Sequence, residues 1–195
     1  ELLSLASLKV IPSVGIDQSG AFLEQGRALA KAAGLEPRLI EADIYDLPDD
    51  VGTFDLVLVT IGVLNWMPDL GGFFRVIAGL LGPGGHLLVY ETHPVMEMFD
   101  PESDTPHEPA ISYFRTDPLK EEGLISYDGV DHGSGETGYW FIHTLGQIVT
   151  SCATAGMTIT SLKEFGYSIR EPEYDVYEGR EAQIPMSYLL HARKM

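Results

Sequence analysis

The chain has 195 residues, 45% of them hydrophobic, and a formal net charge of −17. That length sustains one domain with a sizeable core. The acidic balance argues against nucleic acid as a partner, which clustered Lys and Arg would hold, and against docking on anionic membranes. Cys152 stands alone, which excludes an internal disulfide and fits a reducing, cytoplasmic compartment. No apolar run approaches a membrane span, and no signal peptide is read.

In chain order, Glu1–Leu8 reads as the tail of a helix and Lys9–Ile16 as a strand, closed by Asp17, Gln18 and Ser19. A carboxylate at a strand end can accept hydrogen bonds from both hydroxyls of a ribose. The competing role is a helix cap, which Asp and Ser perform routinely. Ala21–Ala33 has a helical stripe of Phe22, Leu23, Ala28, Leu29 and Ala32, and Gly34 stops it. Pro37–Glu41 is a further strand, leading into Ala42–Pro48. Phe54–Thr60 is a continuous apolar run suited to a strand buried on both faces. A loop, Ile61–Asp69, precedes a helix over Leu70–Leu81, and Gly82-Pro83-Gly84-Gly85 ends it with turn chemistry. A second apolar run, His86–Tyr90, completes a strand–helix–strand crossover of right-handed sense. Ligands collect at the carboxyl ends of such strands, which directs attention to Thr60–Trp66 and Glu91–Pro94.

Pro94–Gly138 is too long for a simple connector. Pro94–Pro109 reads as a loop, Ile111–Arg115 and Leu124–Tyr127 as two short strands forming a hairpin, and Asp128–Gly138 as glycine-rich turns. The position of this insertion suggests a lid over a substrate. Thr144 is a candidate N-cap for a helix carrying Leu145, Ile148, Val149, Cys152 and Ala153, ended by Gly156. Thr158–Phe165 and Ser187–Arg193 are the closing strands.

Phe54-Asp55-Leu56-Val57, the loop, the helix, and Leu81-Gly82-Pro83-Gly84-Gly85-His86-Leu87-Leu88-Val89 before an acidic residue resemble the class I S-adenosylmethionine-dependent methyltransferases. Val14-Gly15-Ile16-Asp17-Gln18-Ser19 is similar to that family's second strand, and Ala42-Asp43-Ile44-Tyr45-Asp46-Leu47-Pro48 to its adenine motif. The resemblance implies a Rossmann-like, doubly wound α/β sheet, mostly parallel, with an antiparallel last strand and the insertion after the fifth strand, in a single domain over residues 1–195. It implies S-adenosylmethionine as cofactor. Asp17 and Gln18 would lie at the ribose, Asp43 at the adenine amino group and Ile44 on the adenine face. Thr60, Ile61 and Gly62 would face the sulfonium. The family's glycine-rich loop, which precedes the second strand, is not among the 195 residues; it is either removed or lost across the irregular Leu8–Ser13 junction. The N/D-P-P-Y/F motif of amino-methylating branches is also absent after Thr60, which argues against an exocyclic adenine or glutamine amide nitrogen as acceptor.

Methyl transfer from a sulfonium needs a general base only when the acceptor must lose a proton. His93 and His143 are the candidates, because imidazole titrates near pH 6.5; each could instead serve as a structural hydrogen-bonding group. Trp66, Tyr139 and Trp140 are candidate substrate-binding walls, with core packing as the alternative. Glu91, His93, His132 and His143 lack the tight spacing of a metal site, so no metal is expected. The expected activity is methyl transfer to a small molecule by a monomer or homodimer. The alternatives are a non-catalytic binding protein on the same fold and a nucleotide-dependent oxidoreductase, for which Asp17 would serve an NAD ribose equally well but no Y-x-x-x-K pair is present.

Overall fold

The computed structural model describes residues 1–122, 137–169 and 172–195. The principal elements, in chain order, are β1 (Val14–Asp17), α1 (Gly20–Ala33), β2 (Arg38–Glu41), β3 (Phe54–Thr60), α2 (Leu70–Leu80), β4 (Leu81–Thr92), β5 (Leu119–Glu122), β6 (Thr137–Trp140), α3 (Leu145–Thr154), β7 (Met157–Phe165) and β8 (Ser187–Lys194). The expected α/β class holds. β1 and β2 pair in parallel, and a four-stranded sheet runs in the order β3-β4-β8-β7. β3 and β4 are parallel, while β8 is antiparallel to both its neighbours, β4 and β7. The closing strand is therefore antiparallel and interior, as the family resemblance implies.

Local chemistry sets the element ends. Ser19 caps α1 through its hydroxyl oxygen, which accepts from the Phe22 N–H at 3.3 Å. Gly34 ends it at φ 67°, a conformation that a side chain disfavours. Asp69 caps α2 by accepting from the Gly72 N–H at 2.9 Å. α3 begins in a full capping box: the Thr144 hydroxyl accepts from the Gln147 N–H, and the Gln147 side chain accepts from the Thr144 N–H.

The main core lies between the four-stranded sheet and helices α2 and α3. Leu87, Val89, Leu190 and Ala192 from the strands meet Phe73, Phe74 and Ile77 from α2 and Ile148 and Cys152 from α3. The alternation of β4 and β8 brings these strand residues to one face. Burial pushes the Cys152 thiol up to about 11, so it packs as a small apolar group. A second cluster of Met96, Tyr177 and Met186 joins the start of the insertion to the segment before β8. The Tyr177 hydroxyl donates to the Pro106 carbonyl at 2.8 Å and ties the two together.

Four expectations need correction. Lys9–Ser13 is not strand: Leu3–Leu8 forms a 3-10 helix, Lys9 closes it at φ 63°, and Pro12 has no N–H to give a ladder. Gly82–Gly85 does not stand apart as a turn but forms the irregular start of β4, where Leu81 already pairs with Phe54. Gly85 is required there, because a Cβ would lie 2.9 Å from the Gly82 carbonyl oxygen and 3.0 Å from that of Phe54. Ile111–Arg115 is a bend held by Ile111 N–H on Met98 O and Arg115 N–H on Ser112 O. The hairpin of the insertion is formed by β5 and β6 instead, with Leu119 opposite Trp140. The expected strand Leu124–Tyr127 lies outside the described residues, as does His132.

Candidate active site

β1 and β2 end side by side, with Asp17 opposite Glu41. The exposed Asp17 carboxylate accepts from the Ser19 N–H through Oδ1 at 2.7 Å, and its backbone carbonyl accepts from the Ala42 N–H. Gln18 beside it is exposed. Asp43 repeats the arrangement one strand over: its Oδ1 accepts from the Tyr45 N–H at 2.9 Å, and the side chain is exposed. Both acids thus use one oxygen to shape their own turn. Ile44 packs its side chain against the main core. Tyr45 bridges to α2: its hydroxyl donates to the Asp69 carbonyl at 3.0 Å and accepts from the Asp69 N–H at 3.2 Å.

The turn after β3 is built by β4. Ile61 N–H donates to Tyr90 O, the last rung between the two strands. Gly62 follows at φ 82°. Its N–H and that of Leu64 both donate to the carboxylate of Glu91, the latter at 3.1 Å. Glu91 is 2% exposed. Charge-assisted bonds of this kind are about twice as strong as neutral ones. Thr60, Ile61 and Gly62 are therefore the exit of β3, held over the end of β4.

The aromatic candidates separate. Trp66 and Trp140 meet edge to face, with ring centroids 5.4 Å apart and an interplanar angle of 86°. A Cβ on Gly62 would lie 3.4 Å from the Trp140 ring, so this indole stands directly beside the turn. Its Nε1–H donates to Glu97 at 2.8 Å, and Glu97 also accepts from the Asn65 side-chain amide at 3.3 Å. The Asn65 side chain also donates to the Phe141 carbonyl, and its backbone carbonyl accepts the Phe141 N–H. Tyr139 is 51% exposed and sits opposite Lys120 in the hairpin, away from that pair of indoles in the strand alternation.

The two histidines are both committed to the protein. His93 is 3% exposed; its Nδ1 accepts from the Val95 N–H at 3.1 Å, and this places its proton on Nε2, 2.9 Å from Glu164. Burial lowers its pKa against the raising effect of Glu164, so the pair is a neutral imidazole donating to a carboxylate. His143 donates Nε2–H to the Met67 carbonyl at 2.8 Å, and burial likewise lowers its pKa. The imidazoles brace the loop after β3 and the loop after β4, which fits the structural alternative better than proton abstraction. Among the described residues, no three His, Cys, Asp or Glu side chains converge to hold a metal, and no helix is long and apolar enough to cross a membrane.

Sequence reasoning places Asn65 and Glu91 within the strand-end stretches without giving them a part in shaping the site, and it does not mark Glu97. Glu91 does carry a signal: it follows Leu87 and Val89 at a spacing of two, which puts an acid on the core face of the strand.

Residues 2–89 match the family described as a methyltransferase domain. The chain is 40% identical over 84 residues to the demethylmenaquinone methyltransferase of Thermus thermophilus. That match takes in 42% of this chain and 36% of the relative, so it spans little more than a third of that protein. The fold is similar to that of a Listeria monocytogenes protein assigned as an S-adenosylmethionine-dependent methyltransferase, with a TM-score of 0.64 and 19% identity over 93% of this chain and 79% of that one. It is also similar to an S-adenosylmethionine-dependent methyltransferase from Mesorhizobium loti, with a TM-score of 0.60 and 22% identity over 93% and 79%. Residues 2–89 thus carry a segment similar to a methyltransferase domain, and nearly the whole length of the chain shares the fold of these structures.

Proposed function

We propose that the protein transfers a methyl group from S-adenosylmethionine to a small, flat aromatic acceptor. The observation that carries this reading is the set of strand ends: Asp17 and Asp43 present exposed carboxylates after neighbouring parallel strands, and the Gly62 turn with its tryptophan wall follows the third. The residues fit the group. Among the described residues, Oδ2 of Asp17 and of Asp43 has no protein partner, so each can accept from a ribose hydroxyl or an adenine amino group. Gly62 carries no side chain, and the Trp140 ring lies in van der Waals reach of the space one would fill.

Bound S-adenosylmethionine supplies a methyl group on a sulfonium, and the chain supplies position. Holding two reacting groups in line is worth roughly 7–11 kcal/mol in well-oriented systems. The right-angled faces of Trp66 and Trp140 suit the stacking of a planar ring. With His93 and His143 bonded to the protein, the chain contributes orientation more than proton abstraction. The buried free thiol of Cys152 suits a cytoplasmic setting.

Titration calorimetry of the full-length protein with S-adenosylmethionine, S-adenosylhomocysteine and NAD tests the cofactor. Micromolar binding of the two sulfur compounds is expected, with Asp17→Ala and Asp43→Ala each weakening it about tenfold or more, as loss of a bond from a charged group predicts. Equal or tighter binding of NAD refutes the reading. For the acceptor, 2-naphthol should quench tryptophan fluorescence saturably in the wild type and not in Trp140→Ala.

A further inference from the structure

The geometry points to Glu91 as a positioning residue that sets the Gly62–Leu64 turn for the sulfur end of the cofactor, an assignment that rests on the reading above. Glu91 does not touch the ligand. It acts through the backbone it holds.

The parallel pairing of β3 with β4 ends at Ile61 N–H on Tyr90 O. Beyond it the chain must turn away, because Gly62 adopts φ 82° and a 3-10 helix starts at Leu64. Two N–H groups would then be buried without strand partners. The next residue of β4 supplies them: Glu91 extends its carboxylate under the turn and takes Gly62 N–H on Oε2 and Leu64 N–H on Oε1. One side chain thus substitutes for two missing backbone acceptors and locks two residues that flank Val63.

The surroundings make the hold specific. Tyr188 lies opposite Glu91 on β8, fully buried, which keeps that side of the carboxylate dry. In a water-excluded place the two bonds are strong, and neither oxygen can exchange its partner for solvent. Above the turn stands Trp140, 3.4 Å from the position of a Gly62 Cβ. The turn is therefore held by a carboxylate and flanked by an aromatic ring. A glutamine at this position keeps size and shape but offers one acceptor and one donor, so one of the two N–H groups would face an N–H.

The test is calorimetry on the full-length protein with two probes: S-adenosylhomocysteine, which has a sulfur end, and adenosine, which has none. Glu91→Gln should weaken S-adenosylhomocysteine binding about tenfold or more and leave adenosine binding within about twofold. Gly62→Ala, which strains the same turn from the other side, should do the same. The double variant should be no worse than the more affected single one, since both changes act on one element. Equal loss of both probes in Glu91→Gln, or loss of neither, overturns the assignment; so do additive losses in the double variant. If the wild type binds neither probe, the methyltransferase reading itself fails.

Discussion

Removing a hydroxyl from the middle of this protein should make it more stable. Tyr188 is fully buried, and its hydroxyl has no protein hydrogen-bond partner among the described residues. Burial first, and the neighbouring Glu91 carboxylate second, push its pKa well above the ordinary tyrosine value, so the group is a neutral O–H at any working pH. An unsatisfied buried hydroxyl costs about 1–3 kcal/mol. Tyr188→Phe removes that cost and leaves a gap of about one oxygen atom, worth roughly 0.3 kcal/mol. The expected net gain is about 1 kcal/mol, a rise in Tm of about 2–4 °C for a chain of this size. Urea unfolding at constant m-value, with calorimetric melting alongside, measures it. A loss of about 1 kcal/mol or more would refute the reasoning, because it would mean that the hydroxyl is bonded in solution and contributes to the support of Glu91.

Three further outcomes follow from local geometry. Thr144→Ala breaks the capping box of α3 and should lower stability by about 1 kcal/mol, with Thr144→Ser restoring most of it in the same unfolding assay. Gly85→Ala should cost about 1–3 kcal/mol, since its Cβ meets backbone oxygens, while Gly79→Ala in α2 meets nothing within 4 Å and should gain about 0.5–1 kcal/mol. His93 and His143 both have folded-state pKa values lowered by burial. The unfolded chain therefore takes up protons first, near pH 6.5, and stability should be highest above that pH and fall as pH drops below it. Urea midpoints between about pH 7.5 and 5 should show this slope, reduced in His143→Gln; a flat profile would contradict it.

The parts of this fold that are legible in sequence are those where one local rule dominates. β3 is readable because an apolar run ends at a polar Thr60, and α3 because Thr144 stands directly ahead of an apolar stripe. Where two rules compete, the pattern misleads. Lys9–Ser13 continues the apolar run of the strand that follows it, but Pro12 and the left-handed Lys9 break the ladder. The hairpin of the insertion uses Leu119–Glu122, a charged stretch with no alternation, because its partner Thr137–Trp140 supplies the aromatic side. At the site, Asp17 and Asp43 are visible as acids after strands, yet the Nε2 partners of His93 and His143, Glu164 and Met67, lie 71 and 76 residues away in sequence, beyond the reach of any local pattern.

The order of the four-stranded sheet also bears on how the chain is made. β8 is the latest of its four strands in sequence, yet it lies between β4 and β7 and pairs with both along its length. As the chain emerges from a ribosome, β4 and β7 are each complete while the place between them is still empty. Until residue 187 and those after it are released, two long strand edges stay open at once, and either can pair with the wrong strand. The sheet cannot grow outward from its first strands; it must close inward, in one late step, around its last.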